Sequence, residues 1–241
     1  MTGARLIGVG VGPGDPELLT VAAVRAIEAA PVVAWFAKAG RRGHARTVAD
    51  VWMKPCVEIA LDYPLTTEIA FDDSRYRSAL RAFYDASSLA LDAHIDAGRD
   101  VALLCEGDPM FYGSFMHVFE RLAPRRPVKV IPGITGMSGC WSAALAPMTW
   151  GDDALVVLPG TLPEDALARR LREADAAVVM KIGRNFDKVR RAIEEAGLTD
   201  RAIYVERGTQ GAQRIVPMAE AGGVAAPYFS LVLVPGRGRR P

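Results

Sequence analysis

The sequence predicts an α/β protein with two α/β domains, in which mainly parallel strands are covered by helices. Short apolar runs of strand length alternate with helical patterns along the whole chain, and this alternation is typical of β-α-β units. Half of the 241 residues are hydrophobic and 24% are charged, as in ordinary folded domains. A chain of this length can bury a substantial core and lies near the size at which one domain becomes two.

The predicted elements follow in chain order. In the first half, strands are expected over residues 5–10, 32–37, 56–61, 101–105 and 128–131, and helices over residues 17–30, 73–97 and 114–122. In the second half, strands are expected over residues 154–158, 177–180, 202–205 and 228–234, and helices over residues 136–146, 163–173 and 186–196. Asp15 is expected to cap the first helix, with Pro16 at its first position.

The domain boundary is predicted from a hinge-like segment. Two prolines flank the charged pair Arg125 and Arg126. We therefore expect an N-terminal domain over residues 1–126 and a C-terminal domain over residues 127–241.

Composition excludes several classes of function. The formal net charge is +1, so no global field favours nucleic acid as a partner. Cys56, Cys105 and Cys140 form no CxxC pair, which argues against a disulfide framework or a zinc site and fits a reducing cytoplasm. The three histidines share no ligand spacing, so no metal is expected. No secretory signal opens the chain and no run of ~18 apolar residues could span a membrane, so we expect a cytoplasmic protein without a membrane partner.

The glycine-rich stretch at residues 8–20, GVGVGPGDPELLT, follows the first strand and suggests a ligand loop. A dinucleotide fold requires G-x-G-x-x-G, but every register places proline, aspartate or glutamate where the third glycine of the motif should stand. The chain also lacks a phosphate loop, and GMSGC at residues 136–140 is not a G-x-S-x-G elbow. One alternative stays open, namely that the glycines only allow the strand and the helix to pack closely.

Other glycine- and proline-rich turns follow the later strands: EGDPMFYGS at residues 106–114, PGITGMS at 132–138, KIGRN at 181–185 and ERGTQ at 206–210. In open α/β sheets ligands bind outside the carboxyl ends of the strands. Together these turns predict a cleft in which backbone groups reach a ligand.

In order along the chain, GVGPGDPELLT, EGDPMFYGS and PGITGMS resemble the tetrapyrrole (corrin and uroporphyrinogen) methyltransferase family. The resemblance implies the fold of this family, a class III rather than a Rossmann-type methyltransferase with the cofactor cleft between the two domains. It also implies S-adenosyl-L-methionine as cofactor, S-adenosyl-L-homocysteine as product, a small-molecule tetrapyrrole as substrate, and a homodimer. Within the family, YPLTTE at residues 63–68, GSF at 113–115, LPGT at 158–161, VMKIG at 179–183 and YFS at 228–230 resemble the branch that methylates C20 of precorrin-2 to precorrin-3A in cobalamin biosynthesis.

Carried over by motif, the resemblance implies cofactor contacts in each of these turns, namely Gly12, Pro13, Glu106, Gly107, Asp108, Phe111, Thr135, Gly136, Met180 and Gly208. Asp108 could instead cap the turn before Pro109, and Met180 could belong to the core. Tyr112 could line the site or pack in the core.

The substrate carries eight carboxylates on an apolar ring, which arginines and aromatic surfaces would bind. The expected substrate-binding residues are Lys38, Arg41, Arg42, Arg46, Tyr63, Arg184 and Arg207. For the first four, a solvated basic loop is the alternative.

The expected mechanism consists of alignment and exclusion of water, without a covalent nucleophile. A base must remove the C20 proton, and Glu106, Asp108 and Tyr112 are the candidates, with water as an alternative. Two other functions stay open: methylation of the cobalt-containing counterpart of the substrate, and tetrapyrrole or nucleoside binding without catalysis.

Overall fold

The computed structural model describes residues 3–64, 74–222 and 226–238. It divides into two compact units, Met1–Thr135 and Gly136–Pro241, and the expectation of two α/β domains is confirmed. Within the described residues, no helix is long and apolar enough to cross a membrane.

The first unit contains one five-stranded sheet in the order β3-β2-β4-β1-β5, with every pair parallel. Its strands are β1 (Leu6–Gly10), β2 (Val32–Lys38), β3 (Val57–Tyr63), β4 (Val101–Cys105) and β5 (Val128–Ile131). Its helices are α1 (Val21–Ala29), α2 (His44–Val48), α3 (Ser74–Asp96) and α4 (Phe115–Leu122).

Helices cover both faces of this sheet. Ala23 and Ile27 of α1 pack with Val9 on one face, whereas Phe115 of α4 packs with Leu103 on the other. All residues of β1 and β4 are buried, which explains why these strands appear in the sequence as continuous apolar runs rather than alternating ones.

The segment after β1 differs from the predicted single helix over residues 17–30. Asp15 does act as a cap, since its Oδ1 accepts a hydrogen bond from the Glu17 N–H at 2.9 Å. It caps only a short 3-10 helix, Pro16–Leu18. A second cap then starts α1, where the Thr20 hydroxyl accepts from the Ala23 N–H at 3.1 Å.

The segment predicted as a hinge is held against α3. Arg126 donates to Asp92 at 2.5 Å and also pairs with Asp96, and Arg125 contacts the buried Asp92 at 2.8 Å. The chain then continues into β5, which pairs with β1 in the first sheet. The division between the units therefore falls after β5, whereas the sequence placed the boundary before it.

The second unit contains another five-stranded sheet, in the order β6-β7-β10-β8-β9. Its elements are α5 (Gly136–Ala143), β6 (Leu155–Pro159), α6 (Glu164–Glu173), β7 (Ala176–Met180), α7 (Phe186–Glu195), β8 (Ile203–Glu206), β9 (Arg214–Pro217) and β10 (Ser230–Val234). Only β6 and β7 are parallel, and the other three pairs are antiparallel. The expectation of mainly parallel strands is therefore wrong for this sheet, because β10 inserts between β7 and β8 in the opposite direction.

Candidate functional site

The carboxyl ends of β1 and β4 form a topological switch point in the first unit. These strands are neighbours. The connection from β1 crosses one face through α1, and the connection from β4 crosses the other face through α4 in the opposite direction. Ligands of open α/β sheets bind in the crevice that such a reversal leaves at the strand ends. The turns after β1, β4 and β5 all lie at this edge.

Glycine is required where these three turns meet. A Cβ atom on Gly10 would lie 2.5 Å from the Gly133 nitrogen and 2.7 Å from the Gly107 oxygen. The Gly107 N–H also donates to the Gly12 carbonyl at 2.8 Å. Side chains at these positions would force the turns apart. Gly10 at the end of β1 therefore allows the backbones of the three turns to pack closely at the switch point, which differs from the packing of strand against helix that one interpretation of this stretch expected.

The Asp108 carboxylate joins two of the turns. Its Oδ1 accepts from the Met110 N–H at 2.8 Å, and its Oδ2 accepts from the Gly133 N–H at 3.1 Å. The first bond is a local turn of the kind that aspartate favours, and the second reaches the turn after β5. Asp108 thus has the turn-capping role that the sequence left open, and it fixes the backbone of the predicted ligand loop.

Glu106 lies directly after β4 in a different environment. Its side chain is accessible to solvent, but protein surrounds the carboxyl group closely enough to remove part of its hydration. This desolvation raises the pKa of Glu106 to about 7, against the lowering effect of a hydrogen bond from the backbone N–H of Ala45. A carboxyl that changes protonation near neutral pH at a strand end is well suited to accept a proton.

Tyr112 and Phe111 present aromatic surface from the loop after β4. The Tyr112 side chain is 44% exposed, and its ring packs edge-on against Phe111 with the centroids 4.8 Å apart. Tyr112 also has a left-handed backbone conformation, with φ of 54°. That conformation is costly for a residue with a Cβ and persists only where the surroundings hold it.

Tyr63, the last residue of β3, lies near the end of the same loop. Its hydroxyl is hydrogen-bonded to the Ser114 hydroxyl, and its ring packs against Phe83 with centroids 4.8 Å apart. Of the rest of the YPLTTE motif, Pro64 is described, and residues 65–68 lie outside the described residues.

The basic segment after β2 does not act as one group of free cations. Lys38 and Arg41 are exposed, and Arg42 pairs with Asp50 at 2.6 Å. Sequence reasoning placed this segment in a loop, but part of it forms α2.

Arg46 requires a correction. It is buried, with 5% of its surface exposed, and it donates to Glu58 at 2.7 and 3.1 Å and to Asp50 at 2.9 Å. Its guanidinium also lies over the Trp35 ring, 5.5 Å from the centroid. Because all three guanidinium nitrogens are engaged inside the unit, Arg46 is a structural residue and the predicted substrate contact is withdrawn.

In the second unit, the predicted residues lie in turns at the ends of strands or at the start of a helix. Met180 ends β7, is partly buried, and its carbonyl accepts from the Gly160 N–H at 2.6 Å. Arg184 follows on an exposed 3-10 turn. Gly136 is the first residue of α5, and a Cβ there would meet no described atom within 4 Å.

The turn after β8 packs tightly against α5. A Cβ on Gly208 would lie 2.6 Å from the Cys140 sulfur, so only glycine fits. The neighbouring Arg207 pairs with Glu206 at 3.7 Å, and its backbone N–H donates to Phe229 at 2.7 Å. Gly208 therefore has a packing role in addition to the predicted cofactor contact.

Strained backbone marks the predicted ligand turns. Among the described residues, the non-glycine positions with left-handed φ are Tyr112, Leu145, Lys181, Arg207 and Thr209. All except Leu145 lie in the turns after β4, β7 and β8. Residues held in this way concentrate at ligand sites, which supports the turns as functional segments independently of their motifs.

Sequence reasoning missed Ala45, Ser114 and Tyr84. Ala45 contributes only a backbone N–H, which leaves no mark in a sequence. Ser114 lies inside the motif EGDPMFYGS, and its position there was the available signal. Tyr84 lies on a helix far along the chain and donates to Ser114 at 3.1 Å.

Comparison with known proteins identifies relatives of this chain. A family model described as tetrapyrrole (corrin/porphyrin) methylases matches residues 5–221. The chain is 58% identical over 238 residues to a precorrin-2 C(20)-methyltransferase from Sinorhizobium sp., covering 98% of this chain and 97% of that protein. It is 26% identical over 236 residues to a cobalt-precorrin-2 C(20)-methyltransferase from Salmonella typhimurium, covering 95% of each.

A solved structure has the same fold. The uroporphyrin-III C-methyltransferase from Thermus thermophilus, in complex with S-adenosylhomocysteine, matches with a TM-score of 0.66 at 24% identity, over 95% of this chain and 96% of that one.

Proposed function

The chain belongs to the tetrapyrrole (corrin/porphyrin) methylase family, and on that premise we propose that it methylates C20 of precorrin-2 to give precorrin-3A in cobalamin biosynthesis. The observation that carries the proposal is the 58% identity to the Sinorhizobium enzyme over almost the whole of both chains. The identity to the enzyme acting on the cobalt-containing substrate is 26%, which favours the metal-free substrate.

The first-unit turns fit S-adenosylmethionine as methyl donor. Its adenosine and amino-acid parts require backbone hydrogen-bonding groups beside apolar walls. The turns offer backbone fixed by Asp108 and the exposed apolar side chain of Met110. When bound, the sulfonium supplies an activated methyl group. We assign the contacts to the motif residues Gly12, Pro13, Glu106, Gly107, Asp108, Phe111 and Thr135, with Gly136, Met180 and Gly208 in the second unit.

The protein's main contribution to the reaction is alignment. Holding the acceptor carbon and the methyl group in line makes the bimolecular step effectively unimolecular. In the best cases this lowers the activation free energy by about 7–11 kcal/mol. The C20–methyl bond forms as the sulfur–methyl bond breaks, and the C20 proton must then leave. We assign its acceptance to the Glu106 carboxylate, because the pKa of Glu106 is about 7. Asp108 holds the backbone of the loop beside its proposed cofactor contact, and it is not assigned the proton.

The substrate carboxylates require cations that are accessible. Lys38, Arg41, Arg42, Arg184 and Arg207 stay in the proposal, of which Arg42 and Arg207 also pair with carboxylates of the protein. On binding, Arg42 and Arg207 would each bind a substrate carboxylate in place of, or in addition to, the protein carboxylate. We further propose that the protein is a homodimer, as the family resemblance implies, and that it acts in the cytoplasm. Light scattering of the purified protein measures its oligomeric state.

The test supplies methyl-labelled S-adenosylmethionine with either metal-free precorrin-2 or its cobalt-containing counterpart. Labelled precorrin-3A from the metal-free substrate, with the methyl group located at C20 by NMR, is the expected result. Transfer only to the cobalt-containing ring would show that this ring, and not precorrin-2, is the substrate. A methyl group on another carbon would reject the C20 assignment. Calorimetric titration with S-adenosylhomocysteine is the matched binding test, since a protein that fails to bind it cannot be a methyltransferase of this kind.

A further inference from the structure

The loop of residues 106–114 is fixed at both ends, and its two anchors differ. At its start, the Asp108 carboxylate holds the backbone through Met110 and Gly133. At its end, Ser114 is hydrogen-bonded to two tyrosines. The Tyr84 hydroxyl donates to the Ser114 Oγ at 3.1 Å, and the Tyr63 hydroxyl is hydrogen-bonded to the same atom.

Ser114 does not use its side chain in the usual way. It occupies the N-cap position of α4, where a serine hydroxyl normally accepts a hydrogen bond from a backbone N–H of the first turn. Here the hydroxyl makes no capping bond. It is directed instead to side chains from β3 and α3, so the loop end is tied to two other elements at the expense of the helix cap.

The two tyrosines are themselves held in place by packing. The Tyr63 ring stacks on Phe36 with centroids 5.7 Å apart, and Tyr84 is 6% exposed and stacks on His117 at 4.4 Å. Phenol groups among apolar rings require hydrogen-bond partners, and Ser114 provides one for both. The position of the Ser114 hydroxyl is therefore determined by rigid neighbours.

The strained part of the loop lies between these anchors. Tyr112 has its left-handed φ of 54°, two residues before Ser114. At Gly113, a Cβ would lie 2.9 Å from the Pro109 carbonyl, so the chain closes tightly on itself here. A strained conformation of this kind persists only when its surroundings over-determine it, and the bonds of Ser114 supply that constraint at the nearer end.

We propose that the hydroxyl cluster Tyr63–Ser114–Tyr84 is a latch that holds the exposed Tyr112 ring in position against the tetrapyrrole macrocycle. The inference rests on the proposed function, because it assigns the ring surface to that substrate. Tyr63, Ser114 and Tyr84 are positioning residues, and Tyr112 contacts the substrate. Tyr63 thus acts on the substrate through Ser114 and Tyr112, rather than as the direct substrate contact that the sequence predicted.

The test is a double-mutant cycle on methyl transfer to precorrin-2. Ser114→Ala is expected to lower kcat/KM for the tetrapyrrole by about tenfold or more, since small misplacements at a reacting centre have effects of this size. Tyr63→Phe, which keeps the ring, should act in the same direction. In a Tyr112→Ala background, Ser114→Ala should change kcat/KM less than about twofold, because two residues that act as one unit are not additive.

A matched control and a second measurement separate positioning from folding. Ser88→Ala removes another buried serine hydroxyl in the same unit, one without a hydrogen-bond partner among the described residues, and should leave kcat/KM unchanged. Additive effects of Ser114→Ala and Tyr112→Ala, or losses that follow Tm alone, would overturn the latch while wild-type methylation of precorrin-2 still stands. Absence of wild-type methylation would instead reject the proposed function.

Discussion

Replacing Glu106 by glutamine is expected to abolish a rise in the methyl-transfer rate through neutral pH. Desolvation by the surrounding protein raises the pKa of this carboxyl to about 7, and only its ionised form accepts a proton. With this pKa the ionised fraction grows about tenfold between about pH 6 and pH 8, whereas a carboxyl of ordinary pKa is almost fully ionised throughout. The wild-type rate should therefore rise about tenfold over the same interval.

The assay measures initial rates of label transfer to precorrin-2 at saturating concentrations of both substrates across this pH range. Glu106→Gln should be slower by about a hundredfold or more and should lack the rise, since it removes a general base. Glu164→Gln is the matched control, because Glu164 lies on α6 in an exposed pair with Arg191. A flat wild-type profile, or an unchanged profile in Glu106→Gln, would refute the assignment of the proton acceptor.

The same shift affects stability with a determined sign. A carboxyl whose pKa is raised by folding holds its proton more tightly in the folded protein. The free energy of unfolding should therefore fall as the pH rises from 4.5, the usual value, to about 7. Glu106→Gln lacks this loss, so its Tm relative to wild type should increase over that interval and then stay constant. A difference in Tm that does not vary with pH would show that the carboxyl is solvated as in the unfolded chain.

Three further changes test the remaining assignments. Gly133→Ala places a Cβ against the Gly107 carbonyl. It should lower the free energy of unfolding by about 1–3 kcal/mol and weaken the binding of S-adenosylhomocysteine measured by calorimetry. Gly211→Ala, which has open space around the new Cβ, should have neither effect. Arg46→Leu should lower the free energy of unfolding by about 2 kcal/mol at neutral pH without raising KM for the tetrapyrrole. Because Arg46 holds the pKa of Glu58 below its usual 4.5, that difference should shrink as the pH falls below this value; a raised KM in folded Arg46→Leu would restore the substrate-binding role. Asp108→Asn keeps one acceptor oxygen for two N–H groups, so S-adenosylhomocysteine should bind about tenfold more weakly while the pH-rate rise persists, and loss of that rise would make Asp108 the base.

The elements that could be predicted are those whose burial leaves a local signal. β1 and β4 are buried along their whole length, so each appears as an uninterrupted apolar run. The four-residue β9 was not predicted, because it is short, ends in Pro217, and exists through its antiparallel pairing with β8. The pairing of β5 with β1 likewise joins residues more than a hundred positions apart, and this is why the predicted boundary fell before β5.

In the site, too, the features with a local sequence signal could be predicted and those that depend on distant residues could not. Parallel strands bring their carboxyl ends to one edge, so the turns carrying Glu106 and Asp108 could be placed from the strand pattern alone. The partners of individual side chains could not. Arg46 appeared among other basic residues in a turn, but it pairs with Glu58 on a neighbouring strand. A local sequence does not show which carboxylate an arginine meets, or whether it meets substrate or protein.

The two carboxylates after β4 illustrate how position within one turn separates structural from chemical roles. Both oxygens of Asp108 accept backbone N–H groups from two turns, so this carboxylate is committed to holding the loop. Glu106, two residues earlier, is accessible and has its pKa raised to about 7, so its protonation changes near neutral pH. Removing a proton from C20 requires a group that can change charge without releasing the structure around it. Protonation of Asp108 would disturb the hydrogen bonds that it accepts from two turns, whereas Glu106 accepts a backbone hydrogen bond from Ala45. The proton is therefore assigned to Glu106.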